Sequence, residues 1–225
     1  MRPTAWPGAG ETNSMNVERV SISNRLVRSE FIARRFGPYL RGKVLDVGCD
    51  KAHLRRLVGG LDYTGIDVGG EPDLVINLEK VDRLPFQDNT FDCVVCSDVL
   101  EHVDNLHWNF DELIRVAKGH AIISLPNNWA NARRPIGRGH GSIGHYGLPP
   151  APPADRHKWF FSLEEGRLFA EAQVRRLPIS IVELFAIEKP RFPAVSVLRR
   201  LRYPSQISYL NRYAHSLWVV LKKRV

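Results

Sequence analysis

What most constrains this chain is a change of period near residue 43. From there, short apolar runs rich in β-branched residues alternate with stretches of helical spacing. KVLDVG (43–48), DYTGID (62–67), DLVIN (73–77), FDCVVCS (91–97) and HAIISL (120–125) each read as a buried strand. Helix candidates fall at 52–58 and 105–118, the second with Leu106, Phe110, Leu113, Ile114 and Ala117 on one face. Strands this apolar, joined by helices, imply right-handed βαβ crossovers and a parallel sheet covered on both faces. Upstream, residues 24–40 carry Val27, Phe31, Ile32, Phe36 and Leu40 at helical spacing. Residues 1–16, rich in Pro, Gly, Thr and Asn, read as a flexible tail. After residue 126 the pattern lapses into Gly, Pro, Arg and His. Helix resumes at Ser162, with Glu165 completing a capping box. ISIVELFAIE (179–188) and HSLWVVLKK (215–223) close the chain as two long strands. The expectation is one α/β domain over 17–225, with a lid or acceptor loop at 128–161 and an insertion at 190–213 between the last two strands.

The longest apolar runs, such as 217–221, fall far short of the roughly 20 residues a bilayer needs. Cys49, Cys93 and Cys96 match neither a disulfide framework nor a zinc array. The first residues lack a basic segment followed by an apolar one, so a cytoplasmic location is expected, with peripheral membrane contact left open. The net charge of +8 is concentrated at one end: residues 190–225 hold eight Lys or Arg and no Asp or Glu. Such a surface draws nucleic acid, anionic lipid or a phosphorylated small molecule.

Ligands of an open parallel sheet bind outside the carboxyl ends of its strands. Here those ends carry complementary polar groups in succession. The first finishes with Asp46, Gly48, Cys49 and Asp50, the second with Asp67 and Val68, the third with Asn77 and Leu78, and the fourth with Ser97 and Asp98. A carboxylate about 20 residues past a glycine turn is where ribose hydroxyls are accepted. A single Asp in such a place is more often a cap, and a single Gly a turn; the series carries the reading. The first turn keeps one glycine, and Asp50 brings negative charge where a phosphate would lie, so a phosphate-bearing cofactor is disfavoured.

These residues resemble the class I S-adenosylmethionine-dependent methyltransferases, and within them the small-molecule type 11 branch around ubiquinone and menaquinone biosynthesis. VLDVGCDKAHL looks like the family's first motif, YTGID its acidic second, and LPFQDNTFDCVVCSDVLEHV its fourth-strand motif. LPN (125–127) and HKWFFSLEEGRLF (157–169) look like the end of strand five and the helix after it. The resemblance implies a Rossmann-like, seven-stranded, mostly parallel sheet with helices on both faces, the last strand antiparallel, and a lid after strand five. It implies S-adenosyl-L-methionine as cofactor and S-adenosyl-L-homocysteine as product. Asp46, Gly48, Cys49 and Asp50 would border the methionine moiety, Asp67 and Val68 the ribose, Asn77 and Leu78 the adenine, and Ser97 would line the cofactor through its backbone. The family has glycine where Asp50 and Ala52 stand. Asp50 is expected to pair with the cofactor's ammonium while capping the following helix.

On the acceptor side, His102 and His157 are the candidate bases for methyl transfer to oxygen. Asn127, His145, Tyr146, Arg156 and Trp159 are the candidate acceptor-binding residues. No histidine pair has ligand spacing beside a carboxylate in a helix, so no metal ligand is assigned. The acceptor expected is small or lipid-linked and anionic, with a sugar or aromatic hydroxyl. The insertion at 190–213 reads equally as a membrane-facing surface, a homodimer contact or a packed helix pair. The alternative to an enzyme is a non-catalytic binding protein on this fold, or an RNA-associated module using its basic C-terminal third. No separate RNA-binding module accompanies it.

Overall fold

The computed structural model describes residues 14–141, 143–153 and 155–224. In chain order the elements are β1 (Asn16–Arg19), α1 (Arg25–Phe36), β2 (Lys43–Val47), α2 (His53–Leu57), β3 (Asp62–Asp67), β4 (Leu74–Val75) and β5 (Phe91–Ser97). A 3-10 turn (Leu100–His102), α3 (Leu106–Val116), β6 (Ala117–Pro126), α4 (Asn128–Gly137) and α5 (Leu163–Arg176) follow. The chain closes with β7 (Ile179–Glu188), α6 (Pro193–Arg202), α7 (Gln206–Tyr213) and β8 (Ala214–Lys223).

The strands form one eight-stranded sheet in the order β1-β7-β8-β6-β5-β2-β3-β4. All pairs are parallel except those of β8, which runs antiparallel to β6 and β7. Alternation along the strands feeds two cores. Leu45, Val94, Cys96, Ile123 and Val219 pack with Phe110 and Leu113 of α3 and Ala170 of α5. Their neighbours Val44, Cys93, Val95, Ile122 and Trp218 pack on the other face with Phe31 and Phe36 of α1 and Leu54 of α2. The chain leaves β2 towards β3 and β4, then returns to place β5 on the other side of β2. That reversal opens a crevice at the carboxyl ends of β2 and β5.

Several local expectations change or become definite. The sheet gains an eighth strand because β1 pairs with β7 in parallel. Of the tail expected at 1–16, residues 1–13 lie outside the described residues; Met15 is buried and exchanges backbone hydrogen bonds with the Gln206 amide at 2.9 and 2.8 Å. β4 is only two residues, both exposed, because an edge strand has a single partner to hold it. The irregular stretch expected at 128–161 opens with α4, whose N-cap Asn127 accepts from the Ala130 amide at 3.3 Å. The 190–213 insertion is a helix pair: α7 buries Tyr209 and Leu210, and α6 buries nothing.

Candidate functional site

The β2–α2 turn is built from left-handed residues. Gly48, Asp50 and Ala52 have φ of +77°, +48° and +48°. At Gly48 a side chain is excluded twice, by its φ and because a Cβ would come within 2.3 Å of Val99. Asp50 and Ala52 thus take up the left-handed conformation that glycine adopts most readily. Asp50 caps nothing: α2 begins at His53, its N-cap is Ala52, and no side chain caps it. The Asp50 carboxylate pairs instead with Arg25 of α1 at 3.0 Å.

Asp67 locks this turn to the end of β3. Its Oδ2 accepts the Asp50 amide at 2.8 Å and its Oδ1 the Val68 amide at 2.6 Å. Val68 is exposed beside it, and Cys49 is buried against Gly65. Asp46 lies beneath, buried, accepting from Tyr63 Oη at 2.7 Å. Burial lifts its pKa to about 6; the Tyr63 hydrogen bond opposes that shift and the Asp67 charge adds to it. Beyond β4, Asn77 Oδ1 accepts the Glu79 amide at 2.9 Å, and Leu78 is buried. At the end of β5, Ser97 Oγ meets Ser124 Oγ at 2.9 Å, and Ser124 donates to Asp98 at 2.7 Å. Asp98, at φ +52°, also pairs with Arg28 of α1 at 2.6 Å. Asp46, Asp50 and Asp67 therefore gather around the crevice with Arg25 at its rim. That set suits a ligand with cationic groups and hydroxyls and no phosphate.

The 3-10 turn after β5 carries Glu101 and His102. Glu101 is fully buried, and neither carboxylate oxygen has a hydrogen-bond partner. Burial and then the Asp98 charge push its carboxyl well above the usual range. The Glu101 carbonyl accepts the Lys158 amide at 2.8 Å, and Trp159 Nε1 donates to the Val103 carbonyl at 2.7 Å. Those bonds fasten the segment before α5 to the turn and bring His157 beside His102, ring centroids 4.5 Å apart. His145, at φ +64°, stacks on His157 at 4.8 Å. Tyr146 Oη lies 2.7 Å from His157 Nδ1, and Asp155 Oδ1 lies 2.6 Å from His102 Nδ1. Burial and the neighbouring imidazoles lower the His157 pKa to about 4, so it is neutral at pH 7.

Next to this cluster lies a cavity of about 1030 Å³ between α4, α6 and α7. Arg133, Arg134, Arg138, Arg199 and Arg212 line it, with Trp129, Phe160, Tyr203 and Tyr213, and no carboxylate among the described residues does. The guanidiniums of Arg133 and Arg199 lie over Tyr213 at 5.1 and 4.2 Å. Arg199 Nη1 and Arg212 Nε are buried without a partner. Phe160 connects the cavity to the histidines, its ring 5.1 Å from that of Tyr146.

Of the expected acceptor residues, His145 and Tyr146 do gather at His157. Asn127 does not face a ligand: it is buried, and its amide donates to the carbonyls of Leu210, Asn211 and Ala214. Arg156 is exposed and Trp159 is held by Val103; neither lines the cavity. Arg25, Arg28, Glu101 and Asp155 were not singled out from the sequence. Of these only Glu101 had a signal, its place just past a strand end; the others arrive through tertiary contacts. Arg199 and Arg212 were visible only as part of the basic C-terminal third.

Residues 23–173 match the model of a methyltransferase domain family. No curated protein matches the chain. Among solved structures, the chain is similar to a SAM-dependent methyltransferase from Methanosarcina mazei, at 17% identity and a TM-score of 0.53 over 85% of this chain and 97% of that one. A SAM-dependent methyltransferase from Archaeoglobus fulgidus shares 19% identity and a TM-score of 0.52, over 89% and 95% of the two chains. One from Mesorhizobium loti shares 14% and 0.51, over 87% and 98%. At these identities the likeness is one of fold.

Proposed function

The chain belongs to the methyltransferase domain family, with S-adenosyl-L-methionine as its cofactor, and on that premise we propose that it methylates a hydroxyl of an anionic, lipid-linked sugar or aromatic acceptor. The observation that carries the acceptor class is the cavity lined by five arginines and, among the described residues, no carboxylate. Guanidiniums crowded together repel one another, and an anionic group relieves that repulsion through charge-assisted hydrogen bonds.

The crevice fits the cofactor by the chemistry of its donors. Asp67 keeps a lone pair on Oδ2 for ribose hydroxyls, Asn77 and Leu78 flank adenine with Val68 at the ribose edge, and Gly48, Cys49 and Ser97 line it with backbone. Asp46 faces the ammonium, and Arg25, now on Asp50 at 3.0 Å, is placed for the cofactor's carboxylate. Once bound, the cofactor would supply a methyl group on a sulfonium, transferable to the acceptor oxygen with the S–C electron pair left on sulfur.

The chain's own groups do the rest. The arginine cavity fixes the anionic part of the acceptor and so aims its hydroxyl. His102, oriented by Asp155, and His157, neutral beside it, meet that hydroxyl and take part in removing its proton. The segment between α4 and α5, with Gly139 and Gly147 at φ of +67° and +89°, serves as the lid that excludes water. α6 suits an apolar tail: Val197, Leu198 and Leu201 are 57, 67 and 74% exposed beside Arg199, Arg200 and Arg202. No helix among the described residues is long and apolar enough to cross a membrane.

The test is transfer of labelled methyl from S-adenosyl-L-methionine to anionic and neutral acceptors presented in vesicles, alongside calorimetric cofactor binding. Arg199→Glu should raise the acceptor KM at least tenfold while the cofactor dissociation constant stays within about twofold. Equal use of neutral and anionic acceptors removes the acceptor class. Absence of cofactor binding at millimolar concentration removes the catalytic reading altogether.

A further inference from the structure

Glu101 poses a physical problem that acid–base chemistry leaves unsolved. It is 0% exposed, both its oxygens lack a hydrogen-bond partner, and no Lys or Arg pairs with it among the described residues. Protonation removes the charge but leaves the carboxyl's donor and acceptor unpaired, and an ionised carboxylate there is costly unless a positive group meets it. What faces it is a pair of imidazoles. His102 Nε2 stands 3.7 Å from Glu101 Oε1, too far for a hydrogen bond. One ligand atom from each of Glu101, His102 and His157 lies within 4.8 Å of the other two. Ligand atoms about 2.1 Å from a shared ion stand roughly 3–4 Å apart, so small side-chain rotations bring these three onto one centre.

The outer nitrogens of both rings are already engaged. His102 Nδ1 meets Asp155 Oδ1 at 2.6 Å, and His157 Nδ1 meets Tyr146 Oη at 2.7 Å and the Asn128 amide nitrogen at 3.2 Å. A carboxylate accepts only from Nδ1–H, so Asp155 leaves the His102 Nε2 lone pair free, as in carboxylate–histidine–metal triads, while Tyr146 and Asn128 fix the orientation of the His157 ring. Three protein ligands leave a coordination position open. The lid lies beside this cluster, with His145 stacked on His157.

We propose that Glu101, His102 and His157 bind a divalent first-row transition-metal ion, positioned by Asp155 and Tyr146, and that the acceptor hydroxyl takes the open coordination position. The second half rests on the methyl-transfer reading; the first does not. In the metal site the two imidazoles act as ligands, and the ion takes over the work of a base. It lowers the pKa of the bound hydroxyl, whose proton leaves to water while the O–H electron pair stays on oxygen. The donor set of two imidazoles and one carboxylate favours zinc, cobalt or iron(II) over magnesium, which takes oxygen ligands.

The experiment is a Co2+ titration of the chelator-stripped protein, followed by visible absorption. One equivalent should develop the d–d bands of a nitrogen and oxygen site, without thiolate charge transfer, and Zn2+ should abolish them. His157→Ala and Glu101→Gln should each weaken Co2+ at least tenfold. Asp155→Asn should weaken it by 10–100-fold, the range for outer-shell partners. His53→Ala, on α2, should leave it unchanged. His157 is only half buried, so its variant reports on the site even if the buried Glu101→Gln variant unfolds. No saturable Co2+ signal in the parent, or parent-like Co2+ affinity in His157→Ala, overturns the metal site. Calorimetry with S-adenosyl-L-methionine on the same stripped protein separates the two readings: loss of the metal site leaves cofactor binding intact, and failure of the methyl-transfer reading leaves the Co2+ signal intact.

Discussion

Asp50 shows what a single backbone angle decides. In the left-handed region an L-residue other than glycine carries roughly 1–2 kcal/mol of strain, less for Asp, which bonds locally. At φ +48° Asp50 keeps the turn, but its carboxylate is engaged by Arg25 at 3.0 Å and caps no helix. Asp50→Gly and Asp50→Asn should therefore both bind S-adenosyl-L-methionine several-fold more tightly, because each frees Arg25 for the cofactor's carboxylate. Weaker binding by both variants in calorimetry means that Asp50 itself meets the ammonium. Asp46 sets a pH dependence. Burial holds its pKa near 6, among Tyr63, Asp67 and Arg55. A carboxyl raised in the fold favours folding most below its unfolded value, and that contribution is lost as pH rises through 6. Cofactor binding has the opposite sign, since an ammonium pairs with the ionised form. Affinity should be flat above pH 6 and fall up to tenfold per unit below it. Asp46→Asn should flatten that profile; a flat profile in the parent excludes Asp46 as the ammonium's partner.

At the scale of elements, strands and caps were legible and loops were not. β3, β5 and β7 span the residues their apolar runs predicted, because each is a run of β-branched or aromatic residues closed by polar ones. The start of α5 was equally plain. Ser162 Oγ accepts the Glu165 amide at 3.2 Å, and Glu165 Oε2 accepts the Ser162 amide at 2.7 Å. Ser162→Ala should cost about 1 kcal/mol, read as a fall of roughly 2–4 °C in Tm. An unchanged Tm means that water satisfies the freed amide. α4 escaped notice because its Arg, Pro and Gly hide any apolar period, and the 190–213 insertion stayed open between three readings because α6 buries nothing and so shows no core-facing stripe.

At the scale of the whole molecule, one residue binds the sheet to its helical cover. Trp218 of β8 is 1% exposed, stacks on Phe36 at 5.4 Å and meets the edge of Phe31 at 5.2 Å. Trp218→Ala should cost about 3–5 kcal/mol in denaturant unfolding, since those rings cannot close over the space. A cost below 1 kcal/mol would show that α1 collapses onto the sheet. By itself the sequence determined the α/β layering and the series of polar strand ends from Asp46 to Ser97, because period, strand length and turn chemistry are local and write themselves into neighbouring residues. Tertiary structure alone decided what meets those ends. Arg25 reaches Asp50 because α1 packs over the crevice. His157 comes to Glu101 because the Lys158 amide bonds a carbonyl 57 positions back along the chain, as 158 − 101 gives. Five arginines come to line one open cavity because α4 packs beside α7. Contacts between residues so far apart depend on chain path and packing, which no spacing of residue types records.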